Sequence, residues 1–119
     1  MSKLSFYKKD NFKISYRYYK RSKKTLIFLH GLLSDKSGKK SNFLNNYCKK
    51  NKISYLCFDF QGHGRSSGEF TNFGISDWYN DLVNIINYLK IKNYYTNLLA
   101  KTRIDIYYEH LLQLLYLIF

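Results

Sequence analysis

The chain has 119 residues, the size of one small domain or of part of a larger one. Its hydrophobic content of 45% supplies a core and excludes global disorder, and its two cysteines exclude a disulfide scaffold. A net charge of +12 raises the question of a nucleic-acid or anionic-membrane partner.

The start, Met1 to Asp10, has no apolar run of the secretory type, and no stretch anywhere reaches 18 apolar residues. Neither a secretory signal nor a membrane span is expected, and a reducing cytoplasm is the expected compartment. The first strand signal is Phe12 to Tyr19, where Phe12, Ile14, Tyr16 and Tyr18 alternate with mostly polar neighbours. A charged turn follows at residues 20–24. Thr25-Leu26-Ile27-Phe28-Leu29 is a short run expected of a strand buried on both faces, closed by His30-Gly31. Residues 41–50 read as a helix with Phe43, Leu44, Tyr47 and Cys48 on its inner face. Ile53 to Phe58 is a second buried strand, ending at Asp59. Residues 61–74 hold four of the six glycines and read as loop. Ser76 is the expected N-cap of a second helix, with Asp77 in its first turn and Trp78, Leu82, Ile85, Ile86 and Leu89 on its apolar face. Strand, helix, strand, helix in this order predicts an α/β fold with a parallel sheet covered by helices.

The tail differs. No glycine follows Gly74, and residues 93–99 fall where the next strand is due but are a poor strand sequence. Residues 104–119 end in an apolar run with no stop signal, too short to span a bilayer.

The charge is unevenly spread. Residues 1–52 hold 15 Lys and Arg against 2 acids, and residues 53–119 hold 5 against 6. The basic half is mostly Lys in scattered pairs, without an Arg-rich helix, RRM-type aromatics or zinc spacing. Six residue types with AT-rich codons make up 60 of the 119 positions, so base composition accounts for much of the lysine. No nucleic-acid partner is therefore expected, and a salt-sensitive gel shift would be needed to revive one.

Two motifs carry chemistry. The first is a buried strand followed by His30-Gly31-Leu32-Leu33-Ser34-Asp35. A glycine there lets the backbone turn sharply and leaves amides free to point at a substrate oxygen. The second is a buried strand followed by Asp59-Phe60-Gln61-Gly62-His63-Gly64-Arg65-Ser66. Each alone describes an ordinary turn. Together, about 29 residues apart with a helix between, they are specific.

On these residues the sequence resembles the α/β-hydrolase superfamily, most of all its branch of palmitoyl-protein thioesterases and acyl-glucuronide esterases. The resemblance rests on Gly31, Leu33, Ser34, Gly38, Lys40 and Cys48, then on Phe58, Asp59, Gly62, Gly64, Ser66 and Gly68, and finally on Trp78 and Asp81. It covers roughly residues 12 to 92 and implies the N-terminal portion of an α/β-hydrolase sheet, incomplete. It also implies a serine hydrolase acting on a small acyl ester or thioester, without a cofactor or metal. The Leu32 backbone N–H would be one oxyanion-hole donor, and the loop from Asp59 to Ser66 would be structural.

The family's second oxyanion donor and its nucleophile come from a G-x-S-x-G elbow after the next strand. After Lys92 this chain has neither glycine nor serine. The expectation is an N-terminal part in residues 1–92, an atypical tail in 93–119, and no turnover, because nucleophile, acid and base are missing. Gly64-Arg65-Ser66-Ser67-Gly68 matches G-x-S-x-G literally, and Asp77 or Asp81 and then His110 follow in hydrolase order. The context is wrong, since Gly64 comes five positions after the strand-ending Asp59 and no helix starts at Glu69. His30 and His63 read as polar turn residues, Asp59 as the organiser of its own loop. Cys57 and Trp78 read as core, Cys48 as helix packing.

The genetic code adds a reading of the tail. Asn93-Tyr94-Tyr95-Thr96-Asn97 is encoded AAY-TAY-TAY-ACN-AAY, which one base further on becomes AYT-AYT-AYA-CNA-AYY. In an AT-rich gene that spells an Ile-rich strand. A frameshift near residue 93 is one reading, and a native strand and helix of a compact variant is the other. From a different functional class, a small non-catalytic α/β binding module or a weak, basic nucleic-acid-binding protein remain alternatives.

Overall fold

A computed structural model describes residues 3–96. The elements in chain order are β1 (Ser5–Lys9), β2 (Phe12–Tyr19), β3 (Lys24–Phe28), α1 (Lys39–Lys50), β4 (Ser54–Phe58), a 3-10 turn (Phe70–Asn72), α2 (Ile75–Leu89) and β5 (Asn93–Thr96). They build one five-stranded sheet in the order β1-β2-β4-β3-β5. The β4-β3-β5 part is parallel, as the apolar strands predict, with Thr25 opposite both Ser54 and Tyr94. β2 joins it antiparallel to β4, so the sheet is mixed rather than wholly parallel.

β1 was not legible as a strand. Ser5-Phe6-Tyr7-Lys8-Lys9 has no alternation of period two, and it gains its place by pairing antiparallel with β2, from Ser5 opposite Tyr16 to Lys9 opposite Phe12. The two-residue turn between them places Asp10 at φ 52, a left-handed conformation that Asp tolerates better than most residues. Tyr7 packs edge-on to Phe12 and against Tyr88 of α2.

The helices lie on opposite faces. α2 covers Ile14, Ile27, Leu56 and Phe58 with Trp78, Leu82, Ile85 and Ile86. α1 covers Leu26, Phe28, Tyr55 and Cys57 with Cys48 and the half-buried Leu44. The alternation along β3 and β4 is the period of two that sends neighbouring side chains to opposite faces. Because the connections leaving adjacent strands β3 and β4 turn to opposite faces, a ligand crevice is expected at their carboxyl ends, the usual place in such sheets.

Three expectations need correction. Phe43 and Tyr47 do not face the sheet; they are 69% and 50% exposed. The stripe that faces it is Ser41, Leu44 and Cys48, at i, i+3 and i+7, and Ser41 fits there because its hydroxyl meets the buried Tyr55 hydroxyl at 2.7 Å. Ser76 is not the N-cap of α2. Gly74 holds that position, and the Asp77 carboxylate accepts the Gly74 N–H at 2.8 Å, so the acid three residues on does the capping. Residues 93–96 form a strand despite their sequence. The slot beside β3 is walled on both faces, so Tyr94 buries its ring on the α2 side and Tyr95 packs on the α1 side. Aromatic residues suit such a two-sided position. The sheet thus continues past Lys92. The remainder of the tail, with His110, lies outside the described residues.

The two helix faces give a paired test. Leu82→Ala is expected to cost about 2–5 kcal/mol of stability in urea unfolding, because it empties a fully buried site. Phe43→Ala is expected to stay within about 0.5 kcal/mol of wild type, as for other exposed positions.

Candidate functional site

The loops leaving β3 and β4 meet at the carboxyl end of the sheet, and one carboxylate joins them. Asp59 is fully buried at the end of β4. Its Oδ1 accepts the Lys36 backbone N–H at 2.7 Å, and its Oδ2 accepts the Lys36 ammonium at 2.7 Å and the Arg65 N–H at 3.0 Å. Lys36 is itself only 5% exposed, so this is a buried ion pair with the remaining lone pairs satisfied by backbone donors. Gly64 passes directly over the carboxylate at φ 49, and a Cβ there would overlap it. Asp59 therefore organises its own loop, and it also clamps the loop after β3.

Ser66, the serine of the literal G-x-S-x-G match, is committed to structure. Its hydroxyl donates to the Asp59 carbonyl at 2.6 Å and accepts the Ser15 N–H at 2.8 Å. Ser67 continues the same stitch, exchanging bonds with the Lys13 backbone. These bonds fasten the loop onto β2, and they leave Ser66 without a base.

His30 and His63 are buried rather than exposed turn residues, with ring centroids 4.7 Å apart. His30 Nδ1–H donates to the Gly31 carbonyl at 2.7 Å while Nε2 accepts the Phe60 N–H at 3.1 Å, which sets the neutral tautomer. Burial pushes its pKa down to about 4, with the neighbouring His63 adding to the effect and the Gly31 carbonyl opposing it. His63 packs edge-on to Phe70 and Trp78, and its Nδ1 faces the Gln61 carbonyl at 3.2 Å. Trp78 is a core anchor whose indole N–H donates to the same carbonyl at 2.9 Å.

Gln61 also reaches α2. Its backbone N–H and its side-chain amide donate to the two oxygens of Asp81, each at 2.8 Å. Asp81 is fully buried, and that burial raises its carboxyl to about 7 against the lowering effect of the Gln61 donors. Cys57 lies in the core with its thiol pushed up to about 11 by burial, so it is no nucleophile. Cys48 packs under α1.

Leu32 stands at the tip of the turn off β3. The turn is closed by the Ser34 N–H on the Gly31 carbonyl at 3.1 Å, with Leu33 at φ 59. Among the described residues the Leu32 N–H has no hydrogen-bond partner. Leu33 is 75% exposed beside it. Sequence reasoning missed Lys36 and Gln61. One lysine among 16 carries no local mark of burial, and Lys40, in the same loop-to-helix segment, is exposed.

The fold is shared with solved structures. The chain matches alpha/beta hydrolase domain-containing protein 10 from mouse with a TM-score of 0.74 and 24% identity, over 79% of this chain and 38% of that one. It matches the Pyrococcus furiosus esterase Pf2001 with a TM-score of 0.69 and 28% identity, over 81% of this chain and 40% of that one. The chain has the α/β-hydrolase fold and is similar to the N-terminal portion of these proteins. In sequence it is 29% identical over 85 residues to the mitochondrial palmitoyl-protein thioesterase ABHD10 of Rattus norvegicus, and 28% identical over 74 residues to that of Bos taurus. It spans 29% and 24% of the length of those relatives. No family model matches the chain. Among the described residues no helix is long and apolar enough to cross a membrane.

Two tests follow from the site. Lys36→Met leaves Asp59 buried without its counter-ion and is expected to cost about 3–5 kcal/mol in denaturant unfolding. The second concerns pH. Asp81, raised from 3.8 to about 7, holds its proton longer in the folded than in the unfolded chain, so its contribution to stability falls as pH rises from about 4 to 7. His30, lowered from 6.5 to about 4, contributes stability above pH 6.5 that is lost as pH falls towards 4. The two slopes oppose each other. Asp81→Asn is therefore expected to make stability rise more steeply with pH between 4 and 6.5 than in wild type, as read from urea midpoints across that range.

Proposed function

We propose that this chain supplies the first oxyanion donor of a serine hydrolase for carboxylic esters or thioesters, with acyl-protein thioesters as the substrate class. The observation that carries this reading is the Leu32 amide, without a bond among the described residues, in the glycine turn at the carboxyl end of β3. The likeness to a palmitoyl-protein thioesterase supports the substrate class. In the complete domain a serine attacks the acyl carbonyl, a histidine takes its proton and later gives it to the leaving thiol or alcohol, and the Leu32 N–H stabilises the negative charge that develops on the carbonyl oxygen. The anchored loop from Asp59 to Ser66 holds the crevice in shape and takes no chemical part. Two buried free thiols, Cys48 and Cys57, suit a reducing compartment, in keeping with a cytoplasmic protein.

The chain by itself does not turn over. Ser66 and His30 are held in structural hydrogen bonds, His63 is buried against Phe70 and Trp78, and residues 93–119 contain no serine. The domain reading is an N-terminal hydrolase part over 1–92, with 93–119 either out of frame, the elbow, acid and histidine then being encoded in another frame, or a native strand and helix of a compact variant. The 119-residue chain is expected to hydrolyse p-nitrophenyl acyl esters no faster than buffer and to resist a fluorophosphonate probe. Labelling that disappears in Ser66→Ala would overturn this. Translating the gene beyond codon 92 in all three frames is expected to yield G-x-S-x-G followed by Asp and His; three empty frames would make residues 93–119 native and overturn the catalytic reading in favour of a non-catalytic role for a short α/β domain.

A further inference from the structure

The charge of the described residues is sorted along the strand axis. All six described acids, from Asp10 to Asp81, lie at the carboxyl end of β3 and β4 or in the loops and first helical turns there. The opposite end is made of three connections: β2 to β3, α1 to β4, and α2 to β5. Residues 20–24 carry four cations, 49–52 three and 90–92 two, and none of these segments holds an acid. Both helices point their carboxyl ends this way, and each helix terminus presents about half a negative charge. Two termini therefore offset roughly one of these positive charges, and among the described residues no acid at this end offsets the others.

The same end is concave. A cleft of about 510 Å³ is rimmed by Lys20, Arg21, Lys23, Lys90 and Lys92, with Tyr18, Leu89 and Ile91 among its apolar lining. A second, of about 620 Å³, shares Tyr18, Lys20 and Arg21 with it and adds Asn45, Asn46 and Lys49. Both fall in the size range of small-molecule sites, and among the described residues no carboxylate lines either. Arg21, on the shared rim, is already held in place: Nη1 donates to the Ile53 carbonyl and Nη2 to Asn45 Oδ1, each at 3.1 Å. Two of its five donors are spent on this, and the guanidinium is pre-organised with the rest available. Lys20, Lys23, Lys90 and Lys92 are exposed around it.

We propose that the twin clefts at the amino end of the parallel strands bind an oligophosphate, such as a nucleoside triphosphate or inorganic triphosphate, at a site separate from the hydrolase crevice. A guanidinium and several ammonium groups converging on a pocket suit the closely spaced charges of a phosphate chain. A long nucleic acid or a membrane would instead favour a flat or striped surface, whereas here the cations surround two concavities joined at Arg21.

The test is calorimetric titration of the 119-residue protein with inorganic triphosphate and with ATP at about 0.15 M salt. The expected result is saturable binding of one ligand per chain. The triple substitution Lys20→Gln, Lys23→Gln, Lys92→Gln is expected to weaken binding about tenfold or more. The triple Lys8→Gln, Lys9→Gln, Lys39→Gln, with the same change in net charge at the other end, is expected to leave it unchanged. ATP binding more tightly than triphosphate supports the site with the base on the Tyr18, Leu89 and Ile91 wall, and equal affinities support it with phosphate alone recognised. Equal weakening by both triples, absence of saturation, or tighter binding of short duplex DNA or anionic phospholipid vesicles than of triphosphate overturns the proposal. If the first triple fails to fold, amine labelling of wild type decides instead. Protection of Lys20, Lys23 and Lys92 by triphosphate supports the site, and uniform labelling overturns it.

Discussion

The buried pair of Lys36 and Asp59 is the constraint on which the carboxyl end of the sheet depends. A charged pair in a core this small is stabilising only if its geometry is good and its other lone pairs are filled. Both conditions hold, because the Lys36 and Arg65 amides complete the carboxylate's coordination. The pair does more than satisfy itself. Lys36 belongs to the loop after β3 and Arg65 to the loop after β4, so a single carboxylate sets the distance between the two walls of the crevice.

The rest of that end follows from this clamp. Gly64 has to cross the carboxylate without a Cβ, which forces the tight path that brings Ser66 back under the Asp59 carbonyl. Ser66 and Ser67 then tie the loop to β2, and Gln61 ties it to Asp81 on α2. His30 and His63 are drawn into the aromatic packing between Phe60, Phe70 and Trp78. Residues that look like catalytic groups in sequence are consumed in building the frame. The Leu32 N–H, without a partner among the described residues, is the donor that the resemblance to hydrolases assigns to chemistry.

The opposite end of the molecule has a different character. The acids are concentrated where the loops are clamped, and the cations crowd the short connections where the helices end. In sequence the basic half looked scattered, because its lysines fall in pairs separated by strands and a helix. The fold collects residues 20–24, 49–52 and 90–92 onto one end, since every βα unit returns its chain there. Base composition explains why lysine is abundant, and the topology explains where it accumulates.

Periodicity and punctuation in the sequence were sufficient for β2, β3, β4 and both helices, because burial on one or two faces imposes a period that composition alone rarely imitates. The glycine turns after β3 and β4 were equally legible, since their chemistry is local. Strands β1 and β5 were not, because Ser5 to Lys9 and Asn93 to Thr96 become strands only through a partner that supplies hydrogen bonds and cover. The inner face of α1 was misjudged for the same reason: whether Phe43 or Ser41 is buried depends on where Tyr55 sits, not on the helix itself. Lys36 shows the limit most plainly. By itself the sequence determined the order of elements, the hydrolase-like motifs and the lack of a serine after Lys92. Only the tertiary structure decided which lysine is buried, which serine is tied down and which amide is free, because those outcomes depend on groups brought together from distant parts of the chain.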